Sequence, residues 1–222
     1  MTRPVPPPSG AVLLSVPLTG RSLVQHSPAD RVPSHGTWSF GSAHAIDLVP
    51  VDGRGRSAPR TWRGVVATES PAAFVGFGAA VSAPAAGTVV QVHDGEPDHR
   101  ARRSQPALVL YVLGQAARAR RGGAALAGNH VVIALGPGGP FVLLAHLQCG
   151  SVRVQPGQAV DGGHRVGRCG NSGNSTEPHV HLQVSDSTDW PTARGVPFVF
   201  RRADGSTWLP RNGSVIDGRC EP

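Results

Sequence analysis

Short apolar runs of four to eight residues, each closed off by glycine or proline, recur along this chain at 65–68, 87–92, 130–135, 141–147, 180–184 and 196–200. Runs of that length, rich in valine, leucine, isoleucine and phenylalanine, read as β-strands. The clearest pairing joins 131–135 to 141–147 through Gly136-Pro137-Gly138-Gly139-Pro140, a loop whose glycines and prolines suit a hairpin turn. His146 then falls near the end of the second strand. The pattern predicts a mainly β chain with little helix.

Composition supports that reading. Of 222 residues, 29 are glycine and 21 proline, too much backbone punctuation for a helical bundle or coiled coil. A 39% hydrophobic content suffices for one packed core. Uninterrupted apolar stretches such as 11–14 and 141–145 fall far short of the roughly 20 residues that span a bilayer, so no transmembrane helix is expected. Residues 1–18 hold a single Arg3, a cluster of prolines and a broken apolar segment, a poor match to a secretory signal peptide. Three cysteines, Cys149, Cys169 and Cys220, are too few for a disulfide scaffold; the spacing of the first two allows either a bridge or two buried thiols.

The segment 95–128 differs from the rest. Six arginines (Arg100, Arg102, Arg103, Arg118, Arg120, Arg121) flank an apolar stretch, which reads as a loop insertion carrying one short element. All 21 basic side chains are arginine, against 14 acidic ones, for a net charge of +7. Only one aromatic residue, Tyr111, lies among the arginines, too few for the stacking platforms that bases would require, so a solvated loop is expected here and nucleic acid is not the expected partner.

Ten histidines in a chain with one tyrosine and one methionine are the unusual entry in the inventory. His179 and His181 are two apart in an apolar run, so on a strand both project from one face while Val180 and Leu182 take the other. That pair reads as a metal ligand with a catalytic neighbour, as two ligands, or as a polar strand face. Upstream, Ser34-His35-Gly36-Thr37 and Ala43-His44-Ala45-Ile46-Asp47 add two histidines and a carboxylate ahead of another apolar run. Three ligands drawn from His and Asp, with a fourth position left for water, make a hydrolytic zinc site. His26, His93, His99, His130 and His164 stand outside this constellation, and the adjacent pairs His93-Asp94 and Asp98-His99 read as solvated loop residues.

The order of these motifs resembles the lysostaphin-type, or LytM-like, zinc metallopeptidases of peptidase family M23, which cut peptide cross-links of bacterial peptidoglycan. The resemblance rests on Ala145-His146-Leu147, on the stretches 152–160 and 166–173, and on Pro178-His179-Val180-His181, with weaker agreement at 83–89 and 128–133. It covers about residues 34–184. It implies a single domain built on an antiparallel β-sheet groove with long loops, a metallopeptidase core at 34–185 with the insertion at 95–128, an N-terminal extension at 1–33 whose first strands pack on the domain, and a C-terminal extension at 186–222. It further implies a monomeric enzyme that binds Zn2+ through a first histidine, Asp47 and His181, with His146 and His179 as catalytic histidines acting on a peptidoglycan peptide. The common pattern has its first histidine four residues before the aspartate, where this chain has Ala43. His35, in a sequence resembling a longer-looped branch of the family, is the preferred first ligand, with His44 as the alternative. The irregular spacing also leaves open a catalytically inactive relative that binds cell wall or activates another hydrolase.

Overall fold

The computed structural model describes residues 10–59, 67–103 and 122–219. Thirteen strands are seen among them: β1 (Val12–Leu14), β2 (Arg21–Gln25), β3 (Ile46–Pro50), β4 (Ala80–Ser82), β5 (Gly87–His93), β6 (Asn129–Ala134), β7 (Phe141–Leu147), β8 (Ala159–Val160), β9 (Arg165–Arg168), β10 (Val180–Ser185), β11 (Phe198–Arg201), β12 (Thr207–Trp208) and β13 (Val215–Asp217). Among the described residues, helix is confined to one five-residue segment, α1 (Gly123–Ala127), and two short 3-10 turns. The mainly β expectation holds. The run at 65–68 and most of the arginine-rich insertion lie largely outside the described residues.

Eight strands form one sheet in the order β13-β2-β3-β10-β7-β6-β5-β8, and every neighbouring pair is antiparallel. Two small sheets complete the fold, β4-β9 and β1-β11-β12; within the latter, β1 runs parallel to β11. The period-2 alternation of the central strands explains why this sheet is stable with two different faces. Ile46 and Leu48 of β3, Leu182 and Val184 of β10, Val142 and Leu144 of β7 and Val131 and Ile133 of β6 point into one apolar core with Phe198 and Phe200. Their alternate neighbours, Asp47, His181, Gln183, Ala145, Leu143 and Val132, line the opposite face.

The 131–135/141–147 hairpin forms as the pattern predicts, β6 against β7 with the Gly-Pro loop between them. Its far end is irregular. Asn129 pairs with Leu147 but Val131 pairs with Leu144, so Ala145 and His146 together oppose His130 alone. This is a β-bulge, and His146 sits in it at φ +61. In unbroken alternation His146 would share the core face of Leu144. The bulge shifts the alternation so that Leu147 enters the core and His146 turns to the other side.

Three expectations from the sequence are corrected. Cys149 is exposed and Cys169 buried, both as free thiols, so they form neither a bridge nor a buried pair. The loop after β5 is not merely solvated: Asp94 accepts from the backbone N–H groups of Gly150 and Val152, and Asp98 from those of Cys149 and Asn171. These carboxylates satisfy turn donors that the strands leave unpaired. Among the arginines, Arg103 makes a two-pronged pair with the buried carboxylate of Glu69 and lies over the Phe74 ring, while Arg100 bonds to Thr68.

Candidate metal and catalytic site

On the face opposite the core lies a groove of about 600 Å3. Its floor is the apolar strip Leu143, Ala145, Leu126, Ala127 and Trp190, and its walls carry His26, Arg31, His35, Asp47, His146, Glu177, His179, His181 and Gln183. Strand register builds the centre. Asp47 is directly opposite Gln25 on one side and His181 on the other, and His181 is in turn opposite Ala145. Residues on one row of one face bring their side chains together.

Asp47 is the hub. Its Oδ1 lies 2.9 Å from His181 Nδ1 and 3.6 Å from His179 Nε2; its Oδ2 lies 3.2 Å from His35 Nε2 and 2.8 Å from His26 Nδ1. The carboxylate is 6% exposed. Burial alone would raise its pKa, but the surrounding imidazoles, His35 and His179 foremost, outweigh that and hold the carboxyl well below its usual range.

Hydrogen bonds on the far side of each ring fix which nitrogen carries the proton. The Ser34 hydroxyl donates to the Ala45 carbonyl at 2.7 Å, so at its 3.0 Å contact with His35 it accepts from Nδ1–H. The His35 Nε2 lone pair therefore faces Asp47. The Gln183 amide donates to the Phe40 carbonyl at 2.9 Å, which turns its Oε1 to accept from His181 Nε2–H at 3.0 Å. The His181 Nδ1 lone pair also faces Asp47. Two lone pairs and a carboxylate converging at 2.9–3.2 Å form a donor set for a cation. Tetrahedral zinc with bonds near 2.0–2.1 Å places its ligand atoms about 3.3 Å apart; His35 Nε2 and His181 Nδ1 stand 3.2 and 2.9 Å from the Asp47 carboxylate, and the ligand atoms of His26, His35 and Asp47 lie within 4.8 Å of one another.

His146 and His179 stand beside this set with ring centroids 4.7 Å apart. His146 Nδ1–H donates to the Ser172 carbonyl at 2.9 Å and His179 Nδ1–H to the Glu177 carbonyl at 2.8 Å, and His179 Nε2 stands 3.6 Å from Asp47 Oδ1. Burial, reinforced by His179 and His181, pushes the His146 imidazole well below its usual range. His179 moves the other way: burial would lower it, but the Asp47 charge and hydrogen bond and the Glu177 carbonyl raise it.

The structure thus gathers His35, Asp47, His146, His179 and His181 around one groove and leaves His44 outside it. His44 ends the 3-10 turn Ser39–His44, just before β3, and is not among the groove-lining residues. Two participants escape a reading of the sequence. Gln183 continues the His179, His181 alternation by two residues, and the same period-2 argument places it on the site face. His26 has no local signal; it reaches Asp47 because it follows Gln25, the partner of Asp47 in the sheet.

Comparisons with known proteins find several similarities. Residues 111–192 match the model of peptidase family M23. The chain is 30% identical over 104 residues to the peptidoglycan DD-endopeptidase ShyA of Vibrio cholerae, an alignment covering 40% of this chain and 24% of that protein, so the chain spans about a quarter of this curated relative. Among solved structures, the catalytic domain of lysostaphin from Staphylococcus simulans is 16% identical, with 82% of this chain and 86% of that chain covered at a TM-score of 0.38. Csd3 of Helicobacter pylori is 17% identical, with 78% and 30% covered at a TM-score of 0.37. The stretch that matches the family model includes His146, His179 and His181, and over it the chain is similar to peptidase family M23.

Proposed function

We propose that this protein is a zinc-dependent metalloendopeptidase that hydrolyses peptide cross-links of bacterial peptidoglycan. One observation carries the reading: the imidazole lone pairs of His35 and His181 face the buried Asp47 carboxylate, with two further histidines on the same groove. The match to the peptidase family M23 model and the likeness to a peptidoglycan endopeptidase support the substrate class.

His35 Nε2, Asp47 and His181 Nδ1 would hold the ion. Zinc bound there supplies a Lewis acid that polarises the scissile carbonyl and brings the pKa of water towards neutrality. The remaining work belongs to the chain. Gln183 and Ser34 fix the tautomers of His181 and His35, so each offers a lone pair without reorientation. His146, kept neutral by burial, accepts the proton of the attacking water at Nε2 and passes it to the leaving amine. His179, drawn towards its charged form, donates from Nε2 to the developing oxyanion. The apolar floor of Leu143, Ala145 and Trp190 excludes water from the peptide backbone lying over it.

The test is release of new amino groups from purified peptidoglycan by the protein loaded with zinc, with and without chelator. Chelator-sensitive release is the expected result. Bound zinc without release would replace this reading with that of a wall-binding relative.

A further inference from the structure

Arg31 is the one arginine among the described residues that line the groove. Its Nε and Nη2 both donate to the Ser34 carbonyl at 3.4 Å. Ser34 is buried, bonded to the Ala43 and Ala45 carbonyls, and its hydroxyl accepts from His35, so the guanidinium is fixed to the same backbone that orients His35. With the Nε side engaged, the Nη1–Nη2 edge remains as a two-pronged donor. No carboxylate of the chain fills it: among the described residues Arg31 makes no ion pair, and its neighbour Asp30 is taken up by Arg211 and the Asn212 N–H. The far side of the site carries the opposite charge. Asp47 turns Oδ2 to His35 and Oδ1 to His179 and His181. Through Ser34 and His35, Arg31 belongs to the Oδ2 side; Glu177, whose carbonyl holds His179 Nδ1–H, belongs to the Oδ1 side. Glu177 lines the groove too, with Oε2 accepting from the Ser57 hydroxyl at 2.6 Å. A peptide crossing the centre meets a cation at one end and an anion at the other.

We propose that Arg31 is a specificity-determining residue that binds a free carboxylate of the substrate peptide, so that the groove prefers a cross-link whose diamino acid keeps a carboxylate beside the scissile amide. This rests on the peptidase reading given under Proposed function. A guanidinium edge matches a carboxylate in one plane through two parallel charge-assisted hydrogen bonds, which gives geometric selection as well as attraction. Arg31 is linked to His35 through Ser34 alone, so the carboxylate it takes lies close to the bond being cut. A glycine bridge, or a diamino acid whose carboxyl is amidated, offers no such partner. Glu177 repels the same carboxylate from the other side, which fixes the direction in which the peptide lies.

The test uses two synthetic cross-linked stem-peptide dimers that differ in one group. The carbon bearing the scissile nitrogen carries a free carboxylate in one and a carboxamide in the other, and every remaining carboxyl is amidated. Binding to the full chain is measured by titration calorimetry in chelator, where no peptide is cleaved, and hydrolysis by the zinc-loaded protein is followed in parallel. The unmodified protein should bind the carboxylate peptide about ten-fold or more tightly than the carboxamide, and Arg31→Gln should lose that preference. Arg31→Lys, which keeps the charge without the planar fork, should retain part of it. Equal affinities in the unmodified protein, no binding of either peptide, or a preference that survives Arg31→Gln overturns the proposal. A preference that depends on Arg31 in binding, with neither peptide hydrolysed by the zinc-loaded protein, leaves Arg31 as the carboxylate anchor and overturns the peptidase reading instead.

Discussion

Asp47 and His181 are 134 residues apart in the chain yet directly opposite each other on β3 and β10, with His181 Nδ1 2.9 Å from Asp47 Oδ1. The pairing of two strands therefore builds the centre of the site, and every other group is arranged around that pair. Asp47→Ala and His181→Ala should both lose zinc and activity, since each removes a donor that no neighbour on the row replaces. His146→Ala and His179→Ala should keep zinc and lose about 100- to 10,000-fold in turnover, the usual worth of a positioned acid or base. Elemental analysis of the four purified variants, run beside peptidoglycan hydrolysis, separates the two groups. Zinc near one per chain in His181→Ala would remove it from the ligand set.

His35 and His44 make opposite predictions from similar positions in the sequence. His35 Nε2 is 3.2 Å from Asp47, whereas His44 is held in a turn whose neighbour Ala43 is buried and has no place in the groove. His35→Ala should weaken zinc binding strongly, and His44→Ala should leave it unchanged. Full zinc occupancy in His35→Ala would return the first-ligand position to His44 or to His26.

Gln183 touches the site through its hydrogen bond to His181. Its amide is clamped by the Phe40 carbonyl, which directs Oε1 at His181 Nε2–H and so aims Nδ1 at Asp47. Gln183→Leu keeps the side-chain volume but removes the acceptor, and zinc affinity should fall about 10- to 100-fold. Gln183→Glu keeps an acceptor at the same place and should restore most of it. If the two variants bind zinc alike, the amide has a packing role only.

The sequence made legible those parts of this site that depend on local alternation. The 131–147 hairpin follows from β-branched and aromatic runs around a Gly-Pro loop, and the shared face of His179 and His181 follows from period 2 alone. Gln183 was within reach of the same reasoning. His26 was not, because its contact with Asp47 is set by which residue of β2 pairs with which residue of β3. Nor was the orientation of His146: nothing in Phe-Val-Leu-Leu-Ala-His-Leu marks the bulge that carries it from the core face to the groove. The loop residues Asp94 and Asp98 look solvated in sequence because the backbone donors they serve lie more than 50 residues further on.

Acid should destabilise the fold through His130, which lies outside the groove lining. His130 is buried, with Nδ1–H donating to the Gly128 carbonyl at 2.7 Å and its ring edge-on to Trp190. Burial lowers its pKa, more than the Gly128 carbonyl raises it. A folded-state value below the unfolded one, about 6.5, means that the unfolded chain binds more protons in that range. The stability from neutral His130 is therefore complete above about pH 6.5 and drains away as the pH falls towards the folded-state value. Thermal unfolding in chelator should show the gap between the unmodified protein and His130→Gln narrowing from pH 7.5 to 5.5. A gap that stays constant would mean that His130 does not titrate with unfolding.

The bulge at His146 depends on a close approach of two backbones. Gly128 and Gly173 both have positive φ, +62 and +67, and they pack against each other so tightly that a Cβ on Gly128 would come 2.5 Å from Gly173 N, and one on Gly173 2.4 Å from Gly128 N. Between them Ser172 accepts from Asn129 N–H through its hydroxyl, donates from it to the Leu147 carbonyl, and offers its own carbonyl to His146 Nδ1–H. Gly128→Ala or Gly173→Ala must therefore separate the two segments and move the group that fixes the His146 tautomer. Backbone strain and the forced separation together should cost about 2 kcal/mol or more, a fall in Tm of roughly 4–8 °C for a chain of this size. Turnover should fall as well, while zinc affinity holds, because Ser172 touches His146 and none of the residues around Asp47. Loss of zinc together with turnover would show instead that the two glycines support the whole face of the sheet.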